Sequence, residues 1–191
     1  MHNYHDTHGR LPPAVVYGKD GTPLYSWRVL ILPFIEQEAL YKEFHLDEPW
    51  DSPHNVRLVE RMPHVYGLPP RKAAKMKVPS GHTICHVFVG RNAAFEGKEG
   101  LRYPEDFPDG TSNTIFLIEA GKPVPWSKPE DLPYDPDAPL PDLSSPFTDI
   151  IRLACADGTG RHIRKTLSAP TFRAAITRNG NDVLGEDWFG N

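Results

Sequence analysis

Cysteine is scarce in this chain, and long apolar runs are missing. The only cysteines are Cys85 and Cys155, and both lie in apolar stretches typical of strands. Two buried thiols and a disulfide are both compatible with this pattern, and a disulfide would require an exported protein and close Cα atoms. No run of about 18 apolar residues offers a membrane span, and no secretory leader is recognisable.

Excess positive charge and the common catalytic motifs are missing too. The chain has 21 Lys and Arg against 25 Asp and Glu, for a formal net charge of −4. No basic stripe is interleaved with aromatic residues, so nucleic acid is not an expected partner. There is also no Gly-x-Ser-x-Gly nucleophile elbow and no phosphate-binding loop. The sequence therefore indicates neither an enzyme nor a bound cofactor.

Proline, in contrast, is abundant, with 21 residues in a chain of 191. The usual share is about 5%. Proline fixes φ and lacks a backbone donor, so much of the chain must be irregular or extended. Residues 122–147 contain eight of the prolines and predict a long excursion with little regular structure. We expect one domain over residues 1–191.

Helices are predicted mainly in the first half of the chain. Residues 1–9 have the pattern of the last turns of a helix that ends at Gly9. Residues 26–45 are the clearest helical region, with Ser26 as the N-cap. Pro33 should kink this region or divide it into two short helices. Further along we expect a helix over 54–61 and a flexible basic loop over 69–81.

Strands are predicted in the second half of the chain. Residues 83–90 and 114–120 are apolar and β-branched, and residues 150–156 and 160–165 flank a hairpin turn at Asp157-Gly158. A short helix should cover residues 171–177. The order of helices and then strands predicts an α+β fold with a mainly antiparallel sheet.

Candidate metal ligands are present but weak. His2, His5 and His8 are spaced along one helix face, and three imidazoles with an open position would resemble a catalytic zinc site. Helix ends at a chain terminus usually fray, however, which favours a polar helix end over a metal site. Asp135 and Asp137 are the weak candidates for calcium, which prefers oxygen ligands.

Two turns carry clusters of small polar residues. In the segment Asp109-Gly110-Thr111-Ser112-Asn113-Thr114 the side chains are suited to bonding their own backbone, so Ser112 is interpreted as a turn residue and not as a nucleophile. We predict that Asp109 and Asn113 cap backbone groups at the start of the following strand. The second such turn is Asp157-Gly158.

Four tryptophans remain to be placed. Trp27 and Trp50 are expected in the core. Trp126 lies in the Pro-rich excursion and Trp188 near the tail, so either could be an exposed aromatic anchor for a partner or a glycan.

Several segments resemble one family in order along nearly the whole chain. They are HNYHDTHGRLPPA at 2–14, SWRVLILP at 26–33, LDEPWDSPHN at 46–55, FEG at 95–97, DGTSNTI at 109–115, WSKPEDL at 126–132 and ADG at 156–158. Together they resemble a large bacterial family of pilin-like proteins, domain of unknown function 1559, which has also carried a solute-binding label. The resemblance implies a pilin-like fold.

Members of that family begin with a prepilin-type leader and a long apolar helix that runs into the His-Asn-Tyr-His-Asp stretch. The resemblance implies that residues 1–9 are the end of such a truncated helix. It also implies export and anchoring in the cell envelope, with other pilin-like subunits or type II secretion components as partners. Two departures are visible: Leu68-Pro69 stands where relatives have Cys-Pro, and Phe147 where many have histidine.

The expected function is therefore that of a non-enzymatic pilin-like or pseudopilin-like structural subunit. The alternative is a ligand- or glycan-binding surface module on the same fold. An enzyme is the least favoured class, since it would require titratable groups that converge in a pocket.

Overall fold

The computed structural model describes residues 1–189 and shows an α+β chain, as predicted. The helices are α1 His2–His8, α2 Trp27–Leu30, α3 Glu38–Glu43, α4 Pro70–Met76 and α5 Ala169–Ile176, with 3₁₀ turns at Leu32–Ile35, Asn55–Arg61, His64–Tyr66 and Glu186–Trp188. The strands are β1 Val15–Tyr17, β2 Pro23–Ser26, β3 His82–His86, β4 Phe88–Gly90, β5 Ile115–Pro125, β6 Leu132–Tyr134, β7 Ile150–Cys155 and β8 Gly160–Arg164. Within residues 1–189 no helix is both long and apolar enough to cross a membrane.

The chain forms two compact units, each assembled from separate stretches. The first unit contains residues 1–83, 97–102 and 123–130. The second contains residues 84–96, 103–122 and the chain from 131 onward. The single-domain organisation expected from the sequence stays a prediction.

Local signals define the helices of the first unit. α1 ends at Gly9, whose φ of 72° is the left-handed conformation that glycine adopts without strain. The Ser26 hydroxyl accepts a hydrogen bond from the Arg28 backbone at 3.3 Å, which confirms the predicted N-cap. Pro33 lies in a 3₁₀ turn between α2 and α3, so the helical region is broken there as expected.

Two other predictions for the first unit need adjustment. The helix expected at 54–61 is a 3₁₀ helix, Asn55–Arg61. The prediction of a flexible loop at 69–81 is wrong, because α4 occupies Pro70–Met76. Proline is tolerated in the first turn of a helix, and the alanines that follow it favour helix. Lys77 then ends the helix with a φ of 55°.

Most residues of the four-stranded sheet, which has the order β3-β5-β7-β8, belong to the second unit. β7 pairs antiparallel with both β5 and β8, which confirms the mainly antiparallel sheet. Alternate residues of β7 are buried, with Ile151, Leu153 and Cys155 in the core. The strand expected at 83–90 is two strands, β3 and β4, and β4 pairs in parallel with β6.

The Pro-rich excursion at 122–147 is more ordered than expected. β5 continues to Pro125, and β6 lies inside the excursion. Gly121 donates its N–H to the Ser144 carbonyl at 2.8 Å, which ties the excursion's last part to the end of β5. The remaining residues are turns and irregular backbone, as the proline content predicts.

The cysteines are not joined to each other in the part of the chain that the structure describes. Cys155 is completely buried in the second unit, and its burial raises the pKa of the thiol. Cys85 is partly buried on β3.

Candidate functional site

The turn at 109–114 is built by its own polar side chains. Gly110 has a φ of 101°, a conformation that L side chains rarely adopt. The Asn113 amide donates to the Asp109 carbonyl at 2.9 Å, and the Thr114 hydroxyl donates to the Gly110 carbonyl at 3.1 Å. Asn113 therefore bonds backbone, but at the beginning of the turn and not at the start of the following strand as predicted. Ser112 is exposed.

The Asp109 carboxylate has a different role from the one predicted. It accepts the backbone N–H of Asn181 at 3.1 and 3.2 Å, and its own N–H donates to the Arg178 carbonyl at 3.1 Å. The expectation that Asp109 caps the start of the next strand is therefore wrong. Its partner lies 72 residues away in sequence, so no local pattern could indicate it.

The turn at Asp157-Gly158 joins β7 to β8, as predicted. Gly158 has a φ of 87° and donates its N–H to the Cys155 carbonyl at 2.9 Å. The Asp157 carboxylate accepts the hydroxyl of Thr159 at 2.7 Å and its N–H at 2.9 Å. These bonds, with the hydroxyl contributing most, lower the pKa of Asp157.

The two turns contact each other directly. The Asp157 N–H donates to the Thr111 carbonyl at 3.0 Å, and the Ala156 N–H donates to the Thr114 carbonyl at 2.9 Å. We call residues 109–114 and 156–159 together the paired turns. The structure thus brings the two motifs of the sequence into one hydrogen-bonded element of the second unit.

Arg178 joins several segments of the second unit by hydrogen bonds, a role that no sequence pattern predicts. Its guanidinium donates to the carbonyls of Ala93 at 3.2 Å and Asp106 at 2.9 Å, and to the Glu96 carboxylate at 2.5 Å. The side chain is only 12% exposed. A planar fork of donors suits several acceptors at once. The only local signal is its position just before Asn179-Gly180.

Trp126 is completely buried in the first unit, so the expectation of an exposed aromatic anchor is wrong. Its ring stacks on Tyr66 with centroids 5.8 Å apart and meets Phe44 edge-on at 5.7 Å. The indole N–H donates to the Val59 carbonyl at 3.1 Å. A buried tryptophan with its polar group satisfied is a packing residue.

Trp188 is also buried, which corrects the second aromatic candidate. It is 2% exposed and belongs to the hydrophobic core of the second unit. The Arg161 guanidinium lies 5.4 Å from the ring centroid. In the first unit, Trp27 is buried as expected, whereas Trp50 is only partly buried beside Lys128.

The histidines of α1 contact their own helix. His8 lies 2.9 Å from the Tyr4 carbonyl through Nδ1, and its ring stacks on Tyr4 at 4.0 Å. His5 Nδ1 faces Asp6 at 3.4 Å. Among the residues that the structure describes, no three histidine, cysteine or acidic side chains are grouped closely enough to hold a metal ion.

The two calcium candidates face a cation of the same chain. Asp135 lies 3.4 Å from the Arg91 guanidinium, and Asp137 forms a closer ion pair with it. These contacts raise the pKa of Arg91, chiefly through Asp137. Calcium binding at this position would have to compete with Arg91.

Two grooves provide concave surface. In the first unit a groove of about 580 Å³ is lined by Tyr17, Lys19, Asp20, Leu46 and Asp47 among others. Tyr17 is 39% exposed, and the Lys98 ammonium lies 5.0 Å from its ring centroid. In the second unit a smaller groove of about 250 Å³ is mainly apolar, and its lining includes Leu140, Leu143, Ile151, Arg164, Leu167 and Phe172.

Comparison with known protein families gives a match. Residues 1–70 match the model of a family described as a protein of unknown function, DUF1559, labelled SBP_bac_10. The family resemblance predicted from the sequence is thereby supported for this part of the chain. Searches of the curated proteins and of the solved structures found no match.

Proposed function

We propose that this protein is a non-enzymatic, pilin-like or pseudopilin-like structural subunit of the bacterial cell surface or of a type II secretion apparatus. Its partners are other pilin-like subunits or secretion components. The native protein is exported and held in the cell envelope by an N-terminal helix.

The observation that carries the proposal is the use of polar groups in the paired turns. The side chains of Asp109, Asn113 and Asp157 all bond backbone groups of the same unit. A catalytic or ligand-binding motif directs such groups toward a reacting molecule. Polar groups that bond the backbone fix the position of loops instead. Loops held in a fixed position suit a subunit that packs repeatedly against the same neighbours.

The match over residues 1–70 adds support. It includes the segment at 2–14, which resembles the stretch that follows a long apolar helix in pilin-like proteins. Such a helix anchors the precursor and packs against neighbouring subunits, and about 20 apolar residues suffice to span a bilayer. The order of a helix followed by an antiparallel sheet is compatible with that architecture.

The proposal is tested by expressing the native gene with a C-terminal epitope tag in its own host. We expect the product in the membrane fraction, released by detergent and not by salt, and cross-linked into oligomers on intact cells. A product that stays in the cytosol without cross-links would overturn the proposal.

The alternative function, a ligand- or glycan-binding surface module, is favoured by one observation, the groove beside Tyr17. Its exposed ring and the neighbouring Asp47 are groups that sugars use for stacking and hydrogen bonding. An oligosaccharide array with the wild type and a Tyr17→Ala variant tests it. Binding that disappears in the variant would favour this function over a purely structural one.

A further inference from the structure

Strand β8 forms one edge of the four-stranded sheet. The pairing with β7 includes a bond from the Lys165 N–H to the Asp149 carbonyl at 3.0 Å and one from the Cys155 N–H to the Thr159 carbonyl at 2.9 Å. Hydrogen-bonded pairs alternate along an antiparallel ladder. The backbone groups of residues 159, 161, 163 and 165 therefore face β7.

The backbone groups of Gly160, His162 and Arg164 consequently face away from the sheet. The Arg164 carbonyl accepts the Leu167 N–H at 3.0 Å in a turn. The outward N–H groups of His162 and Arg164 and the outward carbonyls of Gly160 and His162 remain directed at the surface. An edge with this pattern is a template on which another strand can pair.

The side chains of β8 differ in polarity between the two faces of the sheet. Ile163 points into the core, so His162 and Arg164 point to the opposite face of the sheet, where both are exposed. Arg152 lies directly opposite His162 in the register and adds a third basic group to that face. Glu119 of β5 lies 3.3 Å from Arg152. A strand added at β8 would meet basic side chains on this face.

On the other face, the smaller groove opens beside the C-terminal end of β8. Its apolar lining includes Leu140, Leu143, Leu167 and Phe172, and Lys165 borders it. Lys165 donates to the Phe147 carbonyl at 2.6 Å, which fixes one wall. An apolar side chain of an added strand would point toward this groove while its neighbours point toward the basic face.

We propose that β8 is a docking edge for an extended peptide segment of a partner protein, with acidic and apolar residues in alternation. The segment adds a fifth strand to the sheet. Its carboxylates face His162 and Arg164, and an apolar side chain between them enters the groove. This interaction surface lies wholly within the second unit and does not depend on the proposed membrane anchor.

Charged residues on an edge strand can also serve to prevent aggregation. The two roles differ in a measurable way. A protective edge requires only repulsion of other strands, whereas a docking edge must bind a strand of complementary charge and alternation.

The test uses a blocked synthetic peptide of alternating glutamate and valine, titrated into the folded protein and followed by fluorescence anisotropy and amide NMR shifts. We expect saturable binding that weakens with salt, with shifts at Gly160, His162 and Arg164. The substitution Arg164→Glu should weaken binding by about tenfold or more. Arg71→Glu, an exposed reversal of the same charge on α4, should leave binding unchanged.

A second pair of variants tests the backbone bonds. His162→Pro removes one outward N–H that the internal ladder does not use, and an edge strand tolerates proline at such a position. Binding should be lost in His162→Pro and largely kept in His162→Ala, with the fold of both checked by thermal unfolding.

Three results would overturn the proposal. The first is no binding of the alternating peptide; aggregation of an Arg164→Val variant, which removes the charge from the edge, would then identify β8 as a protective edge. The second is equal binding of a scrambled peptide of the same composition. The third is pairing of β8 with β8 of a second copy in place of the acidic peptide.

Discussion

Nδ1 of His86 lies 3.5 Å from Oδ1 of Asp131, and the two side chains are only 2% and 1% exposed. On its other side the ring contacts the Lys122 carbonyl through Nε2 at 3.0 Å. Asp131 also accepts the Val87 N–H at 3.0 Å. Lys122 is the last residue of the second unit before the chain enters the first, and Asp131 is the first after its return. His86 therefore contacts both Lys122 and Asp131, the two residues of the second unit that flank the segment 123–130.

Removing the Asp131 carboxylate of this pair should lower the stability of the fold. The substitution Asp131→Ala leaves a buried imidazole and a buried backbone N–H without the carboxylate, so we expect a loss of about 3 kcal/mol in the free energy of unfolding. Urea denaturation measures it, and hydrogen exchange at Val87 reports the local effect. Glu130→Ala, at the exposed neighbouring position, should change stability by less than about 0.5 kcal/mol. Equal stability of both variants would contradict a role for the pair.

Arg178 should be irreplaceable by lysine. Arg178→Ala removes three hydrogen bonds to Ala93, Asp106 and Glu96, and we expect a loss of about 2 kcal/mol in stability. Arg178→Lys keeps the charge but cannot reach three acceptors with one ammonium, so most of the loss should remain. Thermal unfolding of the three proteins checks this. A lysine variant as stable as the wild type would show that charge alone matters.

Asp109 should stabilise the position of the segment that follows α5. Asp109→Ala removes the acceptor of the Asn181 N–H, and by analogy with a lost cap we expect a loss of about 1 kcal/mol. Asp109→Asn retains one carbonyl oxygen and should be closer to the wild type. Thermal unfolding and hydrogen exchange at Asn181 measure the effect. Unchanged stability of Asp109→Ala would contradict this role.

Asp157 makes stability depend on acidic pH in a defined direction. Its pKa is lowered from the ordinary 3.8, chiefly by the Thr159 hydroxyl. The folded state therefore favours the ionised carboxylate. The resulting stabilisation is present above the ordinary value and is lost as the pH falls through the lowered one.

Removing the hydroxyl should reverse that shift. We expect the pKa of Asp157 to rise toward its ordinary value in Thr159→Val and to stay low in Thr159→Ser, as measured by NMR titration of the carboxyl carbon. A valine variant that titrates like the wild type would assign the lowered pKa to the backbone hydrogen bonds and to the positive charge of Arg161.

The features predicted correctly depend on neighbouring residues. Gly9, Ser26 and Pro33 act through φ, a capping hydroxyl and a missing donor, and each effect operates within one helical turn. The strands are also predicted from local features, the apolar β-branched runs and the hairpin turn at Asp157-Gly158. In the paired turns, Asn113 bonds a carbonyl only four residues away.

The features missed depend on distant residues. Asp109 bonds Asn181, and Trp126 donates to Val59 across 67 positions, so neither partner follows from local pattern. Trp126 was expected to be exposed because it lies in a Pro-rich segment. In the structure its ring packs against Tyr66 and Phe44. Arg178 was missed because a single arginine shows no periodicity. The helix at Pro70–Met76 was missed because its cations and the two adjacent prolines, Pro69 and Pro70, resemble a loop.

The chain of the first unit is discontinuous, so residues that are distant in sequence meet in its core. Trp126 donates its backbone N–H to Gly81 and its indole N–H to Val59, although residues 84–96 and 103–122 of the second unit intervene in sequence. A recombination crossover anywhere in those intervening stretches would separate the tryptophan from the residues around it. Recombination between related genes is therefore expected to preserve the first unit's core best when residues 1–130 are inherited as one block.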